Sequence, residues 1–289
     1  MAKVADIKNE SFGVEIECIG TDRVKIARKL AAFFETEYIY TIDDIFEISD
    51  KEQRIWKIVW DSSLCNDTND IGAEVVTPVL YSDDIPLLKD VVDIIKATGA
   101  VTDSSCGLHV HVGGNGLKCR ELKNIINLVY TRQNILENSL QINSSRINRY
   151  CRKFTNAFVK AFNSASCCSE LEDVWYQFLG NGDRREIHYN DSRYHLVNLH
   201  SFFNGYGTIE FRLFNGTVDA TVICAYVQFC LALVSLARQQ SKTSTKLIVS
   251  DNEKFTMRNW LRCLGLNGDI YKNCRIVFLK NLVGNTQYR

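Results

Sequence analysis

Three segments of this sequence place acids, imidazoles or an arginine at alternate positions. Glu15 and Glu17 lie in SFGVEIECI (11–19), His109 and His111 in CGLHVHVG (106–113), and Glu210 and Arg212 in GTIEFRLF (207–214). Side chains at i and i+2 share one face of a strand. Each polar pair therefore has an apolar row behind it: Val14, Ile16 and Cys18; Leu108, Val110 and Val112; Ile209, Phe211 and Leu213. Thr208 and Phe214 are expected on the row of Glu210 and Arg212. Two further acids end or occupy short strands, Asp61 in RIWKIVWD and Glu74 in AEVVTP.

Each pair alone has an ordinary structural explanation. Two glutamates on a strand are usually a solvated face, a histidine is often a core residue, and Glu210 with Arg212 could be a modest cross-strand ion pair. The recurrence is what points to chemistry. If the three strands pair in one sheet, carboxylates, two imidazoles and an arginine crowd one surface. Ionised carboxylates that close repel one another unless cations sit between them. Carboxylate oxygens select hard ions, so magnesium or manganese is expected. Such ions screen the phosphates of a nucleotide, and an arginine fork grips phosphate or carboxylate through two hydrogen bonds.

The chain has no GxxxxGK[ST], no strand–GxGxxG–helix, no GxSxG and no HExxH. A nucleotide would have to be held by metals and arginines and not by a glycine cradle.

The elements that must position these residues follow from periodicity and punctuation. Strands are expected at 11–19, 54–61, 72–77, 106–113, 194–200 and 207–214. Helices are expected from Asp22 to about Glu35, from Ser82 to near Gly99, from about Lys118 to Leu140, at 169–179, at 218–239 and near 251–264. The strands are polar on one face, unlike those of a buried parallel sheet. The expected fold is α+β: a largely antiparallel sheet with helices packed on one face. Only two prolines occur and no linker or repeat is visible, so residues 1–289 read as a single domain.

Composition narrows the function classes. The 289 residues are 46% hydrophobic and 24% charged, enough for a sizeable core. Lys plus Arg equals Asp plus Glu at 34 each, with no basic stripe, so neither nucleic acid nor a membrane surface is an expected partner. The 11 cysteines are scattered without CxxC, which suits reduced thiols in the cytoplasm. The N-terminal MAKVADIKNESF is charged and does not read as a signal peptide. The apolar run from Val222 to Ala237 is shorter than a membrane span and reads as a buried helix.

Taken together and in order, FGVEIE (12–17), AEVVTP (73–78), CGLHVHVGG (106–114), SRINRYC (145–151), YHLVNLHSF (194–202) and TIEFRLFNGT (208–217) resemble the amidoligase family. That family is similar to the glutamine synthetase and glutamate–cysteine ligase superfamily of carboxylate–amine ligases. The resemblance covers about residues 11–240 and leaves 241–289 as a C-terminal helical extension. It implies a sheet like the glutamine synthetase catalytic domain, and ATP with magnesium or manganese as cofactors. It further implies an acyl phosphate, formed from a small-molecule or peptide carboxylate and captured by an amine. By position, Glu15, Glu17, Glu74, His109 and Glu210 match metal ligands. His109 and His111 match metal or nucleotide-phosphate ligands. Glu210 and Arg212 match the catalytic late strand, where the arginine meets phosphate or the acyl phosphate. Arg146 or Arg149 matches a substrate- or nucleotide-facing arginine. Tyr194, His195 and Asn198 fall in a further motif of the family. Segment 152–193 matches no motif, and its aromatics with those up to Tyr206 either line a pocket or pack the core.

Two other readings compete. His-x-His followed by a carboxylate also occurs in metal-dependent hydrolases and cupin-like oxygenases. Here, though, the next acid after His111 is Glu121, in an expected helix. A catalytically inactive binding module with a ligase fold is the third.

Overall fold

The computed structural model describes residues 6–61, 64, 72–180, 182 and 184–286. Nine strands form one sheet: β1 (Ser11–Cys18), β2 (Tyr38–Tyr40), β3 (Phe46–Ser49), β4 (Ile55–Trp60), β5 (Ala73–Val76), β6 (Leu80–Tyr81), β7 (Gly107–Gly113), β8 (Val197–Asn198) and β9 (Thr208–Asn215). Their order is β2-β3-β4-β5-β1-β7-β9-β8, with β6 beside β1, and every pairing is antiparallel. The three polar strands are thus neighbours, β1 next to β7 and β7 next to β9.

Alternation fixes which face is buried. Val14, Ile16 and Cys18, Leu108, Val110 and Val112, and Ile209, Phe211 and Leu213 all lie in one contiguous apolar core. Helices α1 (Arg23–Phe34), α2 (Ile85–Ala97), α3 (Cys119–Tyr130) and α9 (Ala220–Gln239) supply its other side. Asp22 caps α1 by accepting from the Lys25 N–H at 2.6 Å, and Asp219 caps α9 by accepting from Thr221 and Val222. Helix α9 is long and apolar enough to cross a membrane, but it is largely buried here, with buried residues around its whole circumference. Helices α10 (Glu253–Cys263) and α11 (Lys272–Leu279) close the C-terminal end, where Phe278 packs on Phe229 of α9. The described cysteines are free.

Several elements differ from expectation for local reasons. The helix expected from Lys118 to Leu140 breaks into α3 and α4 (Gln133–Leu140). The Thr131 hydroxyl bonds back to the Asn127 carbonyl at 2.8 Å, and Arg132 leaves the helical region to lie over the Trp260 ring at 4.6 Å. The strand expected at 194–200 shortens to β8. The Asn198 side chain accepts from the His200 N–H at 2.7 Å and turns the chain into α8 (His200–Phe203). Phe214 is not on the row of Glu210. A bulge lets Arg212 and Leu213 together oppose His109, so Phe214 faces Leu108 on the core side and stacks on Tyr226 at 4.1 Å. The unassigned segment after residue 152 contains α6 (Asn156–Ser164), α7 (Cys168–Leu179) and a short 3-10 turn at Asp191–Arg193.

His195 belongs to this framework. Its ring stacks on Phe154 at 5.6 Å, lies edge-on to Trp175 and donates from Nδ1 to the Ser192 carbonyl at 3.1 Å. Burial, helped by the Arg152 charge, pulls the imidazole down to about 4. Below the free-histidine value of about 6.5 the unfolded chain takes up the proton first. Stability carried by this group is therefore complete above pH 6.5 and is lost progressively as pH falls toward 4, by about 3 kcal/mol in all. Urea unfolding between pH 7.5 and 4 should show that loss, and His195→Phe should flatten it. An unchanged slope in the variant would contradict the assignment.

Candidate active site

The polar face of the sheet assembles its groups by register. Glu17 stands opposite Glu74, Glu15 opposite His109, His111 opposite Glu210, and Glu210 opposite Asn198. Directly opposed side chains in an antiparallel pair lie within contact of each other, so five strands deliver one continuous row of acids and imidazoles.

Glu15 is at the centre. One of its oxygens lies 2.8 Å from His109 Nδ1 and the other 3.1 Å from His111 Nε2. The His111 contact is not aligned as a hydrogen bond, which leaves His111 Nε2 buried and unsatisfied. Glu210 accepts from Asn198 Nδ2 at 2.5 Å and from the Arg212 guanidinium, and its Oε1 is 3.7 Å from His109 Nδ1. Glu17 accepts the Gly107 N–H at 2.5 Å and faces His109 Nε2 at 3.7 Å.

These contacts set the charges. Burial acts to raise the Glu15 carboxyl, but the charges of His111 and His109 and the His109 hydrogen bond outweigh it and hold Glu15 well below the ordinary range. Burial likewise opposes ionisation of Glu210, yet Arg212, His111 and His109 bring it down to about 2. His111 is raised despite burial, because Glu15 and Glu210 favour its charged form. Glu74 goes the other way: burial and the nearby Glu15, Glu17 and Asp61 push it well above the carboxylate range. The row holds more anionic groups than its own cations neutralise.

Two trios bring one ligand atom each within 4.8 Å of the others: Glu15, Glu74 and His109, and Glu15, His111 and Glu210. Hard oxygen donors with one imidazole each, an unsatisfied His111 nitrogen and an acid driven toward protonation fit divalent cations shared through Glu15.

Two cavities flank the row. The first, about 340 Å³, lies over Glu15, His111 and Glu210 and has an apolar wall including Phe12, Val14, Pro78 and Tyr206. The second, about 470 Å³, is more polar and holds Glu17, Asp61, Glu74, His109, Arg146 and Arg212, with Tyr194 beside them. Tyr194 receives the Arg212 guanidinium over its ring at 5.7 Å.

Arg146, in α5 (Ser144–Arg149), is buried and lines the second cavity. Its guanidinium lies where a side chain on residue 107 would begin, since a Cβ there would stand 2.5 Å from Arg146 Nη2. Gly107 thus admits the arginine and gives its N–H to Glu17. Arg149, expected as an alternative nucleotide contact, is exposed, lies over the Tyr150 ring at 5.1 Å and lines neither cavity. The spacing of SRINR could not separate the two, because only the direction of a short helix decides which arginine turns inward. Glu15, Glu17, Glu74, His109, His111, Glu210, Arg212 and Arg146 come together, whereas His195 stays in the aromatic core.

Sequence reasoning missed His188 and Arg193, which line both cavities from the segment before β8. His188 sits in a turn and Arg193 ends a single 3-10 turn, with no periodic pattern to reveal them. Asn198 was placed in a motif, and the structure adds its bond to Glu210. Among the aromatics, Trp175 and Tyr176 are core, while Tyr189, Tyr194 and Tyr206 line the cavities.

The comparisons with known proteins bear on this arrangement. No curated protein matches the sequence. Among solved structures, the complex of the prokaryotic ubiquitin-like protein Pup and its ligase PafA aligns with 10% identity and a TM-score of 0.33. The alignment covers 81% of this chain and 47% of that one, so this chain spans about half the length of its structural neighbour. That likeness is too distant to carry an argument. The family described as "Putative amidoligase enzyme" matches residues 8–234, from before β1 into α9, a span that holds every group of the polar row. By that match, the chain belongs to the amidoligase family.

Proposed function

We propose that this protein is an ATP- and divalent-metal-dependent carboxylate–amine ligase. The observation that carries the reading is the convergence of Glu15, Glu17, Glu74, His109, His111 and Glu210 on one sheet face between two cavities. Membership of the amidoligase family supports it. Among the described residues the sheet is open, with β2 and β8 at its edges, unlike the closed barrel of a cupin oxygenase.

In this reading the apolar-walled first cavity takes the nucleoside of ATP, and the polar second cavity takes the carboxylate and then the amine. Glu15, Glu74 and His109, with Glu15, His111 and Glu210, would hold magnesium or manganese. Bound there, these ions would neutralise the phosphates and polarise the group in transfer. Arg146 orients the substrate carboxylate. Arg212, fixed by Glu210 and Tyr194, meets the charge that builds on the acyl phosphate. Little covalent chemistry falls to the protein; the side chains position the reactants and stabilise charge. Substrates are small-molecule or peptide carboxylates and amines.

The direct test is incubation with magnesium, ATP and pools of amino acids and peptides, measuring phosphate release and the mass of a new amide. Release that depends on both a carboxylate and an amine is expected; release indifferent to both would contradict the proposal. Glu15→Gln keeps the side-chain shape but removes the shared charge, and should lower turnover by about 100-fold or more without loss of fold. Arg212→Lys should cost about tenfold or more in kcat, since a point ammonium cannot replace a planar fork. Gly107→Ala should displace Arg146 and raise the KM for the carboxylate. Wild-type kinetics in Gly107→Ala would remove Arg146 from the binding role.

A further inference from the structure

The two cavities share three lining residues: Glu15, His188 and Arg193. Glu15 rises from the sheet, and the other two descend from the segment 184–194 on the opposite side. If nucleotide and carboxylate occupy separate cavities, the phosphoryl group must cross at the place where the cavities meet. The groups shared by both are then the ones that meet it.

Arg193 is built for an anion at that point. Among the described residues, no carboxylate lies within ion-pairing distance of it, although the face below is rich in acids. By contrast, Arg212 is bound to Glu210, and Arg238, Arg54 and Arg23 are paired with Glu10, Asp50 and Asp44. Arg193 Nε is buried and has no hydrogen-bond partner. Its guanidinium lies over Tyr189 at 5.3 Å and Tyr194 at 5.9 Å, and Nη1 donates to the His188 carbonyl at 3.0 Å. Two rings and one carbonyl fix its position and leave donors over for a ligand.

The segment is anchored firmly enough to aim it. Asn190 is buried and donates to the Arg184 carbonyl at 2.8 Å while accepting from the Ser192 N–H at 3.0 Å. Its side chain occupies the space where a Cβ on Gly180 would stand. Arg152 donates to the Asp191 carbonyl at 2.8 Å.

We propose that Arg193 grips the phosphoryl group in transit between the two cavities and is a catalytic residue of the first half-reaction. The proposal rests on the ligase reading. In that step a carboxylate oxygen attacks the γ-phosphorus and an O–P bond forms. The bond from the β,γ-bridging oxygen to the γ-phosphorus breaks, ADP leaves with the electron pair, and no proton moves. Negative charge spreads over the equatorial oxygens of the moving group, where a planar guanidinium can bond two of them. Glu15, which would share the ions, and Arg193 both line the junction where that group would cross.

The probe is magnesium ADP with and without aluminium fluoride, a mimic of the phosphoryl group in flight, measured by calorimetry on the full chain. Wild type should bind ADP and gain at least tenfold in affinity with the fluoride. Arg193→Gln should bind ADP within twofold of wild type and lose the gain, and Arg193→Lys should recover part of it. Melting temperatures within a few degrees of wild type show that both variants are folded; if Arg193→Gln is not, the Lys variant carries the comparison. Retention of the full gain in the variants would overturn the role of Arg193 while leaving the ligase reading intact. Failure of wild type to bind ADP at all would overturn the ligase reading and, with it, the role of Arg193.

Discussion

Charge confined to one face of an antiparallel sheet is the constraint around which this structure is arranged. Glu15, Glu17, Glu74 and Glu210 come within reach of one another because β5, β1, β7 and β9 are adjacent and in fixed register. The protein balances them only in part. Two imidazoles and Arg212 keep Glu15 and Glu210 ionised, while Glu74 is driven toward its protonated form. A face built this way is costly unless cations complete it, and the core behind it is what holds the register. The apolar rows of the same strands share one core with residues of α1, α2 and α9. A slip of one residue would turn the acids into that core.

Much of this was legible in the sequence because a strand has a period of two. Glu15 with Glu17, His109 with His111, and Glu210 with Arg212 could be assigned to one face from spacing alone, and the order of motifs gave the family. What escaped depended on departures from regularity. The bulge opposite His109 sends Phe214 to the core side and starts from no sequence pattern. The break at Thr131 arises from a side-chain bond to its own helix. Arg146 and Arg149 were equivalent until the axis of α5 was known. Gly107 carries no mark in the sequence, and its role is to leave room for a guanidinium.

The segment 184–194 shows the same limit from the other side. Its functional groups sit on chain held by Asn190, Arg152 and paired tyrosines, not by any repeating pattern. Loops of this sort carry function because a rigid scaffold fixes their ends. Here the scaffold is β8 and α7, and the segment brings the Arg193 guanidinium and the His188 imidazole to the cavities over the acidic row.

Binding of a divalent ion tests the account most directly. Glu74 and His111 both lean toward their protonated forms, and a cation must displace those protons to bind. Calorimetric titration with manganese in buffers of different ionisation enthalpy should reveal saturable binding with proton release near neutral pH. The same titration of Glu15→Gln should show both sharply reduced. Absence of binding at millimolar manganese, or binding that ignores the loss of Glu15, would contradict the claim that this row of acids and imidazoles is a metal centre.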